Sequence, residues 1–405
     1  MNRVWRIGKG VRGPGSLMLL AASVMAPSTS AQAQSSVSLY GIVDAGFVFN
    51  SNAKGVKQYS LNSGNENGDR WGLVGSEDLG GGLKAVFNLE SGFSITSGTM
   101  LQNSIFGRQA DVGLSSSHFG TVTLGRQYSD VTGAVGPFTS GGNWAAGGAG
   151  YGTHPMDLDD LDNSNRISNA VKYQSVDYGG FTFGGLYSFG GTAGAVSQNQ
   201  IYDFDIAYKH GPFAAAVGYL YANRPNFSLF GSAPTASATG INLPSVTIAG
   251  YATASSQQIT AAGASYTLGP AIVGAVFSNV RFNNLGSVAI TGLNPAEATY
   301  RGSDVWNIGE VNLKYFVTPS FMLGAAYTYS HDSGPSNGSG AHYNQINLGA
   351  IYNLSKRTLL YLIAVHQTAS GTNSTGVPAV AAITGVTQSS SSHQTVATLG
   401  LLQKF

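Results

Sequence analysis

The strongest constraint on this chain is a period of two that recurs from end to end. Leu83 to Phe93 reads LKAVFNLESGF, with Ala85, Phe87, Leu89 and Phe93 on one parity and Lys84, Asn88 and Glu90 on the other. That alternation describes a strand with one apolar and one wet face. It returns over 37–49, 69–78, 83–93, 105–115, 120–129, 166–177, 180–189, 201–210, 213–223, 256–268, 271–282, 304–316, 320–331, 342–354, 358–367 and 393–405. About 16 strands of roughly ten residues follow, the length that crosses a bilayer when tilted. Thr358 to Gln367 is ambiguous, being apolar on both parities.

The connections decide what the apolar face meets. DLGGG, SSSHF, YGG, HGP, LGP, VTP and SKR are short, whereas Val131 to Asn165 and Arg224 to Ser255 are long and rich in Gly, Ser, Asn and Thr. Short turns on one rim and long loops on the other define an outer-membrane barrel. The fold expected is therefore all-β, a transmembrane antiparallel β-barrel of about 16 strands. Its apolar face meets lipid and its wet face lines a hole. Phe87 and Leu89 then face outward, and Lys84, Asn88 and Glu90 face water. An even count leaves both termini on the short-turn side, so the last strand can pair with the first. Tyr40, Phe93, Tyr266, Tyr315 and Phe405, near strand ends, suit interfacial girdles.

The N-terminus predicts the address. Arg3, Arg6, Lys9 and Arg12 precede the apolar run LMLLAASVMA and the triplet Ala31-Gln32-Ala33. This is a basic n-region, a short h-region and an A-x-A site, so residues 1–33 read as a signal peptide cleaved after Ala33 and 34–405 as the barrel. A run of about ten residues is half what a spanning helix needs. Without those four cations the formal charge passes from +1 to −3, which leaves no basic surplus for nucleic acid. With no cysteine and no H-x-x-H or H-E-x-x-H pair, neither a disulfide framework nor a zinc centre is expected, and no cofactor.

Several segments carry a family resemblance. SVSLYGIVDAGF, DRWGLVGSEDLGGGLKAVFNLESGF, FGRQADVGLSSSHFGTVTLGRQYSD, RISNAVKYQS and YNLSKRTLLY resemble the trimeric general porins of Gram-negative bacteria, especially the beta-proteobacterial branch. The resemblance implies a sixteen-stranded homotrimer whose third external loop, here Val131 to Asn165, folds inward. It also implies that the terminal Phe405 is read by the barrel assembly machinery and that the outer rim meets lipopolysaccharide. Two features depart from the family. The tail LGLLQKF has Leu402 where relatives often carry a basic residue. The loop segment GAVGPFTSGGNW keeps Pro137 and Phe138 but lacks the carboxylate that enterobacterial members place beside that proline.

Charge inside a pore sets its selectivity, which singles out particular residues. Arg70 and Arg166 share the wet parity of their strands, and Arg108 falls at the matching place on its own. The resemblance puts wall arginines at these three positions. Lys84, Lys172 and Glu90 are further lumen charges. The run Asp157, Asp159, Asp160 and Asp162 reads as a solvated acidic stretch nearer the outer mouth, with calcium as the competing reading. Counting parity from Arg108 turns Asp111 outward with Arg126, where the two would pair with each other or with a neighbouring subunit inside a trimer interface, the alternative being that one lies at the headgroup level. Gly334-Pro335-Ser336-Asn337-Gly338 matches G-x-S-x-G but lies in a loop between strands, without the following helix that a nucleophile elbow needs.

The function expected is a passive channel for small hydrophilic solutes, mildly anion-preferring because the loop tip GPFTSGG faces arginines and carries no carboxylate. A substrate-selective channel on the same fold would need an aromatic track, and a barrel hydrolase a catalytic set. A secreted solenoid would need a fixed repeat. None of these is present in the sequence.

Overall fold

The computed structural model describes residues 35–162, 164–231 and 236–405; the expected signal peptide lies outside the described residues. Seventeen strand segments form one antiparallel sheet: β1 (Ser36–Ala53), β2 (Val56–Ser63), β3 (Arg70–Gly80), β4 (Leu83–Gly92), β5 (Gln109–Ser116), β6 (Gly120–Gln127), β7 (Ile167–Gln174), β8 (Phe181–Ser188), β9 (Ile201–His210), β10 (Phe213–Asn223), β11 (Ser256–Leu268), β12 (Ala271–Leu285), β13 (Gly302–Thr318), β14 (Phe321–Asp332), β15 (Ala341–Asn353), β16 (Thr358–Gly371) and β17 (His393–Lys404). The last strand pairs with the first from Ile42↔Lys404 to Asn50↔Val396. The sheet is thus a closed barrel with no open edge at the seam, as lipid requires because unpaired backbone groups there cost several kcal/mol each.

Seventeen segments make sixteen staves. β1 pairs with β3 over Ser36–Ile42 and with β2 over Ala45–Ala53, so β2 and β3 lie end to end along it. Asp44 holds the break between them. Its Oδ2 accepts the backbone N–H groups of Glu66 (2.7 Å) and Asn67 (2.8 Å), and its Oδ1 accepts the Tyr361 hydroxyl (2.6 Å). The hairpin between β1 and β2 turns on Lys54 (φ 53°) and Gly55 (φ 101°), the positive pair that a two-residue hairpin turn demands. The 56–63 segment is absent from the sequence expectation because VKQYSLNS alternates too weakly to read as a strand.

Burial follows the pleat. Phe204, Ile206, Leu323, Ile346, Leu348, Leu362 and Leu399 are exposed, while their alternates Asp203, Asp205, Gln345, Asn347 and Thr398 are buried. A polar face buried beneath an exposed apolar one is the reverse of a soluble sandwich and is what lipid selects. β16 explains its own ambiguity. Leu360 and Leu362 are exposed, yet Tyr361, Ile363 and Val365 are buried in a cluster with Trp144, Tyr151 and Ile383. Its second apolar parity packs against loops. Tyr40 is a correction: its hydroxyl donates to Glu90 (3.0 Å), so it lies on the polar face and not in a girdle. Tyr266, Tyr315 and Phe405 are exposed as expected. The wall is low on one side, where β5 to β8 have eight residues each, and high opposite, where β13 has seventeen.

Candidate functional site

Three arginines stand at one height. Arg70 opens β3, while Arg108 and Arg166 immediately precede β5 and β7. These strands all run from the long-loop rim toward the short turns. Each arginine therefore sits at the top of an alternate stave, Arg108 and Arg166 on the low side of the wall and Arg70 beside it. Between them, Glu90 lies 2.7 Å from Arg108 and 3.8 Å from Arg70. Arg166 donates to the Ser164 carbonyl (3.0 Å) and the Tyr128 hydroxyl (3.1 Å), with its guanidinium 5.0 Å from that ring's centre. Tyr128 was not singled out by sequence; the signal available was only its place four residues after Leu124, just past the end of β6.

All three arginines line one opening, whose other side is Gly141, Gly142, Asn143 and Gly147–Gly150 of the third outer loop. That side is mostly glycine backbone, with the side chains of Asn143 and Ala149 and, beside it, the carboxyls of Glu66 and Asp162. The loop is fixed to the polar face of the high side. Ser140 donates its N–H (2.6 Å) and hydroxyl (2.8 Å) to Glu310 on β13, and Asn347 on β15 donates to Ser140 Oγ (2.9 Å) and the Gly152 carbonyl (2.9 Å). Asn312 donates to the Phe138 carbonyl (2.7 Å), Gln257 to that of Leu158 (2.8 Å) and Gln345 to that of Thr153 (3.1 Å). Two aromatic rings are seated on bare backbone. A Cβ at Gly324 or at Gly349, opposite each other on β14 and β15, would stand 2.6 Å and 2.8 Å from the Trp144 ring. One at Gly263 would stand 2.8 Å from Phe138. Pro137 is the middle residue of the short 3-10 turn Gly136–Phe138 that delivers Phe138.

The acidic run is buried, not solvated. Asp157, Asp159, Asp160 and Asp162 are all 4 % exposed or less. Loop closure against the wall removes them from water, which composition alone cannot foretell. Asp157 accepts the N–H groups of Asp162 and Ser164, Asp160 accepts Ser129 Oγ, and Asp162 accepts Thr139 Oγ1. Asp159 meets His154 Nδ1 at 2.6 Å and accepts Ser278 Oγ, while His154 Nε2 lies 3.5 Å from Glu310. Burial alone would push His154 down, but the two carboxylates hold it well above the usual histidine range. Burial pushes Asp159 up, but His154 outweighs it and keeps that carboxyl below its ordinary value. For the other three burial wins: Asp157 rises to about 6, Asp160 to about 7, and Asp162 well above the carboxylate range. Asp162 alone of the four lines the arginine opening, so the expected outer-mouth position is wrong for it.

The remaining charges are dispersed. Lys84 is the second residue of β4, beside the short turn, and is remote from the arginines along the stave. Lys172 Nζ is 2.8 Å from Asp130, so its charge is already answered. Asp111 is a correction. β5 begins at Gln109, after Arg108, so parity cannot be counted across that boundary. Asp111 lines a cavity with Lys172, Gln174 and Asn88 on the polar face and lies opposite Gly125. It does not pair with Arg126, which donates to the Gly107 carbonyl (2.8 Å) and Ser168 Oγ (2.8 Å). Phe405 exchanges both backbone bonds with Gly41, at 3.0 and 3.1 Å. Among the described residues no group of three or more His, Cys, Asp or Glu is placed to hold a metal.

A closed antiparallel barrel of sixteen staves with an apolar outer face defines an outer-membrane β-barrel protein of a Gram-negative bacterium. The chain belongs to the Gram-negative porin family, whose model matches residues 19–372. It is 33% identical over 362 residues to outer membrane porin protein 32 of Delftia acidovorans, covering 85% of this chain and 87% of the relative. It is 37% identical over 238 residues to an outer membrane porin of Bordetella pertussis, covering 51% of this chain and 60% of that one. The fold matches the anion-selective porin from Comamonas acidovorans with a TM-score of 0.69 at 24% identity, over 92% of this chain and 100% of the other. OmpT of Vibrio cholerae, in trimer form, gives 0.59 at 18%, over 92% and 99%.

Proposed function

We propose that this porin is a passive, water-filled diffusion channel for small hydrophilic solutes and ions, mildly anion-preferring, and that it catalyses no reaction. The observation carrying this is the arrangement of Arg70, Arg108 and Arg166 around one opening, opposed by glycine backbone. In this reading the third loop folds into the lumen and the opening is the narrowest point. At physiological salt the Debye length is about 8 Å, so charges elsewhere are largely screened and those at the constriction decide selectivity. Glu90 offsets one arginine. Asp162, the nearest member of the acidic run, is pushed toward its neutral form by burial, which supports a net positive constriction. Residues 1–33 act as the cleaved signal peptide. The mature chain assembles as a homotrimer in lipopolysaccharide-containing outer membrane, delivered by the barrel assembly machinery through Phe405. Arg126, on the parity of Val122 and Leu124, lies at the subunit contact, while Asp111 does not. Single-channel recording in planar bilayers under a KCl gradient tests the reading. Stepwise ohmic currents with a zero-current potential on the chloride side are expected. Absence of conductance removes the channel assignment, and a potassium-side potential removes the anion preference.

A further inference from the structure

Four of the seven histidines gather on one part of the outward surface that the channel reading does not use. His331 is the last residue but one of β14, His342 the second of β15, His366 lies in the far half of β16 and His393 begins β17. All four share parity with exposed apolar residues: Tyr329, Ile346, Leu362 and Leu399. They therefore face outward on four consecutive staves, with His331, His342 and His393 at the long-loop ends of their strands and His366 lower, opposite Ile346. No Lys, Arg, Asp or Glu occupies that face of these strands.

His331 and His342 are directly opposite in the ladder, with ring centres 4.6 Å apart and planes 20° from parallel. Residues directly opposite have Cβ atoms about 4.5–5.5 Å apart. Imidazole nitrogens bind a dication at about 2.0–2.1 Å, so two rings on such neighbouring Cβ atoms can reach a common ion by χ rotation. The ring of His342 is already oriented. Its Nδ1 lies 2.9 Å from the Tyr329 hydroxyl. With Nδ1–H donating to that oxygen, Nε2 presents its lone pair, the tautomer a metal needs. The neighbouring hairpin repeats the arrangement more loosely. His366 Nδ1 is 2.8 Å from Thr395 Oγ1, and its ring lies 6.1 Å from that of His393, across a diagonal.

We propose that His331 and His342 form a two-imidazole site for a transition-metal dication of the Zn²⁺, Ni²⁺ or Cu²⁺ class on the outer rim of the barrel. Imidazole suits these ions and not Mg²⁺ or Ca²⁺, which want oxygen. Water completes the coordination. The bound ion clips β14 to β15 just below their connecting loop, on a surface separate from the pore.

Titration calorimetry with ZnCl₂ on the untagged, folded protein in detergent tests this, with MgCl₂ as the control. One Zn²⁺ per chain is expected and no Mg²⁺ signal. His342→Ala and His331→Ala each abolish that binding while heat-modifiable gel mobility shows the barrel intact. His366→Ala leaves it. Tyr329→Phe, which removes only the orienting hydroxyl, weakens it roughly ten- to a hundredfold. If wild type takes up no Zn²⁺, or His331→Ala and His342→Ala bind it unchanged, the rings are a stacked aromatic pair and the site does not exist.

Discussion

Glu90 is held between two guanidinium groups, 2.7 Å from Arg108 Nε and 3.8 Å from Arg70 Nε. Its hydrogen bond from Tyr40 fixes it there. It is the counter-charge to a cluster whose third member, Arg166, donates among the described residues to the neutral oxygens of Ser164 and Tyr128. Glu90→Gln keeps the shape and removes the charge. The zero-current potential in a KCl gradient should move further toward chloride; a move toward potassium would mean that the arginines do not set selectivity.

Removing the cations should do the opposite. Arg108→Ser combined with Arg166→Ser deletes two of three charges and widens the opening. The potential should shift toward cations, and swelling assays with proteoliposomes should show faster entry of larger sugars. Unchanged selectivity would place the deciding charges elsewhere.

Lipid-facing and water-facing neighbours should respond differently to one substitution. Asn88 lines a cavity on the polar face, whereas the Phe87 ring lies over Gly75 on the other face. An arginine directed at lipid near the midplane costs roughly 2–4 kcal/mol. Phe87→Arg should lower the yield of heat-modifiable barrel. Asn88→Arg should assemble normally and raise chloride preference. Equal behaviour of the two would overturn the face assignment.

The seat of Trp144 is a direct handle on loop position. A side chain at Gly324 would occupy space within 2.6 Å of the Trp144 ring, and overpacking of this kind costs about 1–3 kcal/mol. Gly324→Val should displace the loop, seen as larger conductance and noisier open-channel current. Gly309, where a Cβ would meet nothing within 4 Å, is the matched control; Gly309→Val should leave conductance alone.

Acid should tighten the docked loop. Burial raises Asp160 from an unfolded value near 3.8 to about 7, so between those limits the docked state holds the extra proton and stability falls as pH rises. His154, raised well above the usual histidine range, works in the same sense. Its contribution is complete below the unfolded value and is lost as pH climbs through the folded one. Open-channel noise should therefore increase from pH 5 to pH 8, and Asp160→Asn should flatten that part of the response. A wild-type profile that runs the other way would contradict the burial of this carboxyl.

Most of the wall was legible because lipid and water impose a strict period of two on every stave. Leu323, Ala325 and Tyr327 announce their face whatever their neighbours do. The errors fall where that rule stops. Asp111 was misplaced because Arg108 lies outside the strand from which parity was counted. Val56–Ser63 was passed over because its alternation is weak, although Tyr59 packs against Phe47 and Phe49 of β1. The acidic run was misread, and the second apolar parity of β16 left undecided, for one shared reason. Both depend on a loop meeting strands more than a hundred residues away in sequence, and local pattern carries no record of that meeting. The arginines were found through resemblance and parity together. Tyr128, Trp144 and the glycine seats were not.

Ser140 reaches Glu310 and Asn347, 170 and 207 residues along the chain. Such contacts have no partner until β13 and β15 have been laid into the sheet, and closing loops of that size delays contact formation. Narrowing should therefore be the last act of folding, later than closure of the seam between β1 and β17. A newly closed barrel would conduct too much and select too little until the third loop finds its seats. Time-resolved refolding into bilayers should show that sequence, with wide, unselective steps preceding the mature ones.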